Sequence, residues 1–192
     1  MTRRIGLLGG TFDPPHNAHL IMAQTAQQAL GLDRVLLLPA PHPPHKQVGS
    51  LRSYEHRLAM AVLAVERVDG VEVSRLEEKG GDVSYTTDVL KRCREQYGDE
   101  LYFIVGADSL REMPQWRDPQ RILCQCTLVV FPRAGIPMHC AVEGEASLVM
   151  LEAPVIDLSS TDVRERVASS QSYDDAVPDA VALYIRQHSL YT

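Results

Sequence analysis

The sequence predicts an α/β fold built on a parallel sheet. Three observations carry this. Short, unbroken apolar runs recur along the chain, as strands buried on both faces require. Helical patterns separate them, so that strand and helix alternate. Gly-rich polar turns follow the runs rather than precede them, and ligands of such sheets bind beyond the carboxyl ends of the strands.

The elements follow in order. Arg4 to Gly9 is the first buried strand. Asn17 to Leu30 carries Leu20, Ile21, Ala23, Ala26, Ala29 and Leu30 at helical spacing, and Gly31 is its stop. Val35 to Leu38 is a second strand. Pro39 to Ser50 holds four prolines and reads as a loop. Ser53 caps a helix running to about Arg67, and Val71 to Ser74 is a third strand. Gly80-Gly81 lies in a loop before Ser84-Tyr85-Thr86-Thr87, where a helix begins that ends at Gly98. Leu101 to Val105 is the clearest strand and runs into Gly106-Ala107-Asp108. Leu128 to Phe131 and Leu148 to Leu151 are further strands, with a loop-like stretch from Arg133 to Ala146 between them. Ser159-Ser160-Thr161 caps another helix, and Pro178 starts the last at its first turn.

The whole chain sets bounds on function. Its 192 residues, 45% of them hydrophobic, suffice for one domain, 1–192, with a substantial core. The apolar run after Arg3-Arg4 is too short for a signal peptide, and no run reaches membrane-spanning length, so a cytoplasmic protein away from membranes is expected. Cys93, Cys124, Cys126 and Cys140 lack zinc-knuckle spacing and read as buried or half-buried thiols. A net charge of −6 argues against a nucleic-acid surface. Its distribution is uneven. Residues 1–57 carry six Lys/Arg against three Asp/Glu, a net of +3, which leaves −9 for the rest, and five of the seven histidines lie in that first third.

The stretch from Gly9 to His19 concentrates the chemistry. Strand, glycine turn and helix start arrive in that order. Gly9 and Gly10 let backbone N–H groups approach an anion, and the N–H groups of a first helical turn have no partner inside the helix. His16 and His19, three apart, add donors whose charge is adjustable near neutral pH. The arrangement suits a polyphosphate. A metal pair or two satisfied polar side chains are the other readings of His-x-x-His. No convincing third ligand lies near, and Asp13 beside Pro14-Pro15 suits a turn.

The stretch His16-Asn17-Ala18-His19 resembles the (T/H)xGH signature of a nucleotidyltransferase superfamily, with Ala18 where glycine is usual. Gly9 to Leu20, Pro43 to Lys46, Ser84-Tyr85-Thr86, Gly106 to Leu110, Trp116, Ser159 to Arg164 and Val177 to Tyr191 together resemble the bacterial nicotinate-nucleotide adenylyltransferases nearly end to end. The resemblance implies a Rossmann-like doubly wound sheet with helices on both faces and a small C-terminal helical part at about 159–192. It implies transfer of the adenylyl group of ATP to nicotinate mononucleotide, giving deamido-NAD and pyrophosphate in NAD biosynthesis. The attack is then direct and in line, without a covalent enzyme intermediate.

The same resemblance implies roles. His16, His19, Lys46 and Arg164 would serve catalysis. Gly9, Gly10, Thr11, Phe12, Gly106, Asp108, Ser159, Ser160 and Thr161 would hold ATP, although Asp108 can equally cap a helix. Tyr85, Thr86, Trp116 and, more weakly, Arg133 would hold the mononucleotide, its carboxylate received by backbone N–H groups. Both histidines should gain basicity beside phosphate. Magnesium is expected with ATP, held mainly by phosphate oxygens, and no protein metal ligand is named. Oligomeric state, including a homo-oligomer, stays open.

Other assignments explain less. Pantetheine-phosphate adenylyltransferases share the opening motif but lack the Ser84-Tyr85-Thr86 and C-terminal features, and cytidylyltransferases have a different second signature. A nicotinamide mononucleotide or dual-specificity enzyme is harder to separate. A dinucleotide-binding redox module would want Gly-x-Gly-x-x-Gly and an acidic residue ending the second strand, and this chain has neither. A non-catalytic nucleotide-binding module finds only Ala18 in its favour.

Overall fold

The computed structural model describes residues 2–43, 51–80, 85–98, 100–136 and 147–192. Lys46, Ser84, Cys140 and most of the stretch read as a loop after Arg133 lie outside the described residues. The strands are β1 (Arg4–Gly10), β2 (Arg34–Pro39), β3 (Val71–Val73), β4 (Glu100–Gly106), β5 (Thr127–Phe131) and β6 (Leu148–Met150). All pair in parallel, in the order β3-β2-β1-β4-β5-β6. The chain winds outward from β1 in one direction and then, from β4, in the other. The order reverses between β1 and β4, where a doubly wound sheet opens its crevice.

Side-chain alternation on these strands builds two cores. Ile5 and Leu7 of β1, Leu36 and Leu38 of β2, and Phe103 and Val105 of β4 face one way. They pack with Leu90 and Cys93 of α3 (Thr86–Tyr97), Leu110 of α4 (Ala107–Glu112) and Leu123 of α5 (Pro119–Gln125). Leu8, Leu37, Ile104 and Val129 face the other way, against Ala23 and Ala26 of α1 (Asn17–Leu30) and Ala61 of α2 (Tyr54–Val65). A Cβ on Gly6 would lie 2.9 Å from Leu32 and Val35, so glycine there leaves room for the side chains of Leu32, in the connection after α1, and of Val35 on the neighbouring strand β2.

A third apolar cluster joins the C-terminal helices to the body. Val163 of α6 (Ser160–Ala168) and Val181 and Ile185 of α7 (Asp179–Gln187) pack with Met60 and Ala64 of α2 and with Leu190 and Tyr191. Four pieces of structure were not expected. The helices α4 and α5 and the 3-10 turns Leu76–Gly80 and Met113–Gln115 lie in stretches to which the sequence assigned no element. Each spans seven residues or fewer, too little for an apolar period to repeat.

Candidate active site

The crevice between β1 and β4 is a cavity of about 490 Å³. One end is lined by Gly9, Gly10 and Thr11, with Ala18 and both histidines of the opening motif. Ser159, Ser160, Thr161 and Arg164 close that end from the C-terminal side. Gly106, Asp108 and Arg133 lie at the sheet's edge of the cavity, and Tyr85, Thr86 and Trp116 line the far end. Every described site residue expected from the sequence is therefore gathered here, except Phe12. Its ring is fully buried in the core and meets the His19 ring edge-on, centroids 4.9 Å apart.

The two histidines act as one unit. Their rings stack with centroids 3.7 Å apart. The His16 backbone N–H donates to His19 Nδ1 at 3.1 Å. That nitrogen must be unprotonated to accept, so neutral His19 carries its proton on Nε2. His16 is buried, and among the described residues its Nδ1 has no hydrogen-bond partner. Desolvation pushes His16 down to about 4, helped by the nearby Arg133 charge and opposed by Asp162. Burial holds His19 well below its ordinary value, with His16 and Arg133 adding to the effect. Both rings are therefore neutral at pH 7 in the free protein. The rise in basicity expected beside phosphate starts from a lower point than the sequence suggests.

The second signature is already wired. Ser159 caps α6 and forms a reciprocal box with Asp162: its N–H donates to the carboxylate at 2.7 Å, and its hydroxyl accepts the Asp162 N–H at 3.2 Å. The Ser160 hydroxyl donates to the Pro14 carbonyl at 2.8 Å. Arg164 donates to the Asp13 carbonyl at 2.8 Å and to the Thr161 hydroxyl at 3.1 Å. These hydroxyls thus hold the protein together. What α6 offers an anion is its first-turn backbone N–H groups, at Ser160 and Thr161, and the positive end of its dipole.

The far end is looser. Tyr85 stands at the N-cap of α3 in extended backbone, and Thr86 opens the helix. Trp116 ends the 3-10 turn rather than lying in an open loop. It is half-buried and T-shaped against Phe103, centroids 6.4 Å apart. Arg117 lies over the Tyr85 ring at 4.6 Å and pairs with Asp88 at 3.7 Å. Asp108, in the first turn of α4, pairs with Arg133 at 3.7 Å across the cavity edge.

Sequence reasoning missed the supports of the opening turn. The Asp13 carboxylate is buried and accepts the Tyr191 hydroxyl at 2.7 Å and the Arg52 N–H at 3.3 Å. Burial, then Asp13, holds the Tyr191 hydroxyl far above its ordinary value, so it stays a donor. Arg57 is buried just behind the turn. Tyr191 had a sequence signal, since it belongs to the C-terminal run. Arg57 had none, as one charged residue on a helix among several.

Comparison with known proteins agrees with this geometry. The cytidylyltransferase-like family model matches residues 7–166. A curated protein from Roseiflexus sp. (strain RS-1), described as a probable nicotinate-nucleotide adenylyltransferase, is 42% identical over 193 residues, covering 97% of each chain. One from Thermus thermophilus, with the same description, is also 42% identical, covering 98% of this chain and 99% of its own. In fold, the chain matches the Plasmodium falciparum nicotinic acid mononucleotide adenylyltransferase complexed with NaAD. The TM-score is 0.83 at 17% identity, over 98% of this chain and 97% of that one. Its strand order, its crevice at the reversal point and its relatives agree: the chain belongs to the nicotinate-nucleotide adenylyltransferase family, within the cytidylyltransferase-like group.

Proposed function

We propose that the protein transfers the adenylyl group of ATP to nicotinate mononucleotide, with release of pyrophosphate. The observation that carries this is the convergence of the neutral, stacked His16–His19 pair, the N-terminus of α6 and Arg164 on one end of a single crevice. The relatives' names supply the acceptor.

An oxygen of the acceptor's 5′-phosphate attacks the α-phosphorus in line. The new phosphorus–oxygen bond forms as the bond to the bridging α,β-oxygen breaks, and pyrophosphate leaves with that electron pair. The protein's part is positioning and charge stabilisation, which contribute most to the rate of such transfers. The Nε2–H of His19 donates to the triphosphate without prior protonation. The N–H groups of Ser160 and Thr161 and the guanidinium of Arg164 hold phosphate oxygens. Lys46 is proposed as a further cation, on the basis of the sequence. Gly9, Gly10, Thr11 and the Phe12 N–H let ATP approach β1, while Gly106 and Asp108 lie where its nucleoside reaches β4. Tyr85, Thr86, Trp116 and Arg133 are proposed for the mononucleotide.

ATP is taken as its magnesium complex, the ion neutralising phosphate charge. Among the described residues no three His, Cys, Asp or Glu side chains cluster to hold a metal. Asp108, one of the carboxylates that line the cavity, already faces Arg133. The donors around the cavity suit phosphates better than a bare cation.

The test is pyrophosphate release from magnesium and ATP with nicotinate mononucleotide and nicotinamide mononucleotide side by side. A strong preference for the acid is expected. Comparable rates would make the enzyme dual-specific, and no release with either would overturn the reading.

A further inference from the structure

We propose that Arg57 is a positioning residue for adenylyl transfer: its guanidinium sets the conformation of the phosphate-binding turn from behind. The proposal rests on the turn binding ATP, as above.

Arg57 lies in the first turns of α2 and is 2% exposed. Its donors reach backbone carbonyls from three segments. Nη1 donates to the Thr11 carbonyl at 2.7 Å and to the Ala40 carbonyl at 2.8 Å. Nη2 donates to the Pro41 carbonyl at 3.0 Å, and Nε to the Arg52 carbonyl at 3.1 Å. The guanidinium also lies over the Tyr54 ring at 5.5 Å. Among the described residues it has no ion pair within contact distance. Carbonyl dipoles hold the charge, with the Asp13 carboxylate acting at longer range. Burying a cation this way is costly unless every donor is used.

The placement has a consequence at the turn. In a planar trans peptide the carbonyl and the next N–H point in opposite directions. Fixing the Thr11 carbonyl on Arg57 therefore aims the Phe12 N–H directly away from Arg57. Phe12 sits at φ +50, a conformation that a non-glycine residue keeps only where its surroundings impose it. Ala40 in turn donates its N–H to the Gly10 carbonyl at 3.0 Å. One side chain thus locks the ends of β1 and β2 and the start of α2 together. Lysine cannot replace it, because its single ammonium lacks the planar fork that reaches three directions.

The experiment compares Arg57→Lys and Arg57→Ala with the native enzyme. It measures melting temperature, kcat and KM for ATP and for nicotinate mononucleotide, and ATP affinity by calorimetry. Arg57→Lys is expected to stay folded while its kcat/KM for ATP falls about 30-fold or more, as a displaced reacting group would cause. Its KM for the mononucleotide should move less than about threefold. Millimolar guanidinium should restore at least part of the activity of Arg57→Ala and none of that of His19→Ala. A folded Arg57→Lys with native ATP parameters and only a lower melting temperature would overturn the proposal. So would an Arg57→Lys that does not fold, which makes the residue a folding determinant, or a folded Arg57→Ala that guanidinium does not rescue. The native enzyme controls for the reaction. If it releases no pyrophosphate, the reaction is wrong, and Arg57 is judged on ATP affinity alone.

Discussion

The two ends of the crevice are built on different principles. The end around His16 and His19 is cross-tied, and Asp13, His16 and Arg57 are buried beneath it. Arg57, Arg164, Ser160 and Tyr191 all reach the segment Thr11–Pro14, each from a different position in the chain. The end around Tyr85 and Trp116 is half-buried, and its ionic contact, Arg117 with Asp88, is exposed on both sides. Where charge moves during the reaction, donors must be fixed beforehand and kept from water. Where a flat ring only has to be held, a half-buried aromatic face suffices. The difference predicts that mutations at the first end damage rate and those at the second damage affinity.

The largest expected effect is His19→Ala. It removes a fixed donor and half of the stacked pair, and kcat should fall about 10³-fold with the fold intact, read by circular dichroism and pyrophosphate release. A loss below tenfold would erase the distinction between the ends.

The next effect is on stability and has a definite sign. His16 is held down to about 4 when folded, against 6.5 for an ordinary histidine. Below pH 6.5 the unfolded chain therefore binds the proton and the folded chain does not. Stability contributed by the neutral ring is complete above pH 6.5 and is lost as pH falls toward 4, on the order of 3 kcal/mol for this group. His19 adds in the same direction. Melting temperature should drop across that window, and His16→Asn should flatten the drop. An unchanged slope would mean that the rings are not buried neutral.

Tyr191→Phe removes the donor to buried Asp13 and leaves that carboxylate short of a partner. A loss of about 1–3 kcal/mol in chemical denaturation is expected, with kcat falling more than the KM for the mononucleotide changes. Trp116→Ala, at the other end, should raise the KM for the mononucleotide about tenfold and leave ATP nearly unaffected, since an aromatic stack is worth about 1 kcal/mol beyond area. If ATP suffers most, the ring sits at the wrong end.

Much of this was legible in the residues. Unbroken apolar runs such as Val35–Leu38 and Leu101–Val105 fit strands buried on both faces, and the turns after them mark the crevice. The motif at Gly9–His19 and the cap at Ser159 were legible because local backbone needs select those residue types. What could not be read is long-range. Arg57 looks like any helical arginine until carbonyls from three other segments converge on it. The Ser159 and Ser160 hydroxyls look like phosphate ligands until Asp162 and Pro14 engage them. The histidines' low basicity depends on burial, which no spacing records. Short helices such as α4 run straight out of a strand and leave no period to detect.

The hydrogen bond from Tyr191 to Asp13 spans 178 positions. During synthesis the signature at Gly9–His19 leaves the ribosome long before its far tie is made. The apolar strands can assemble in the meantime, but the turn stays without one of its clamps until Tyr191 has been made and has folded back. A polypeptide interrupted before Tyr191 carries the signature without that clamp.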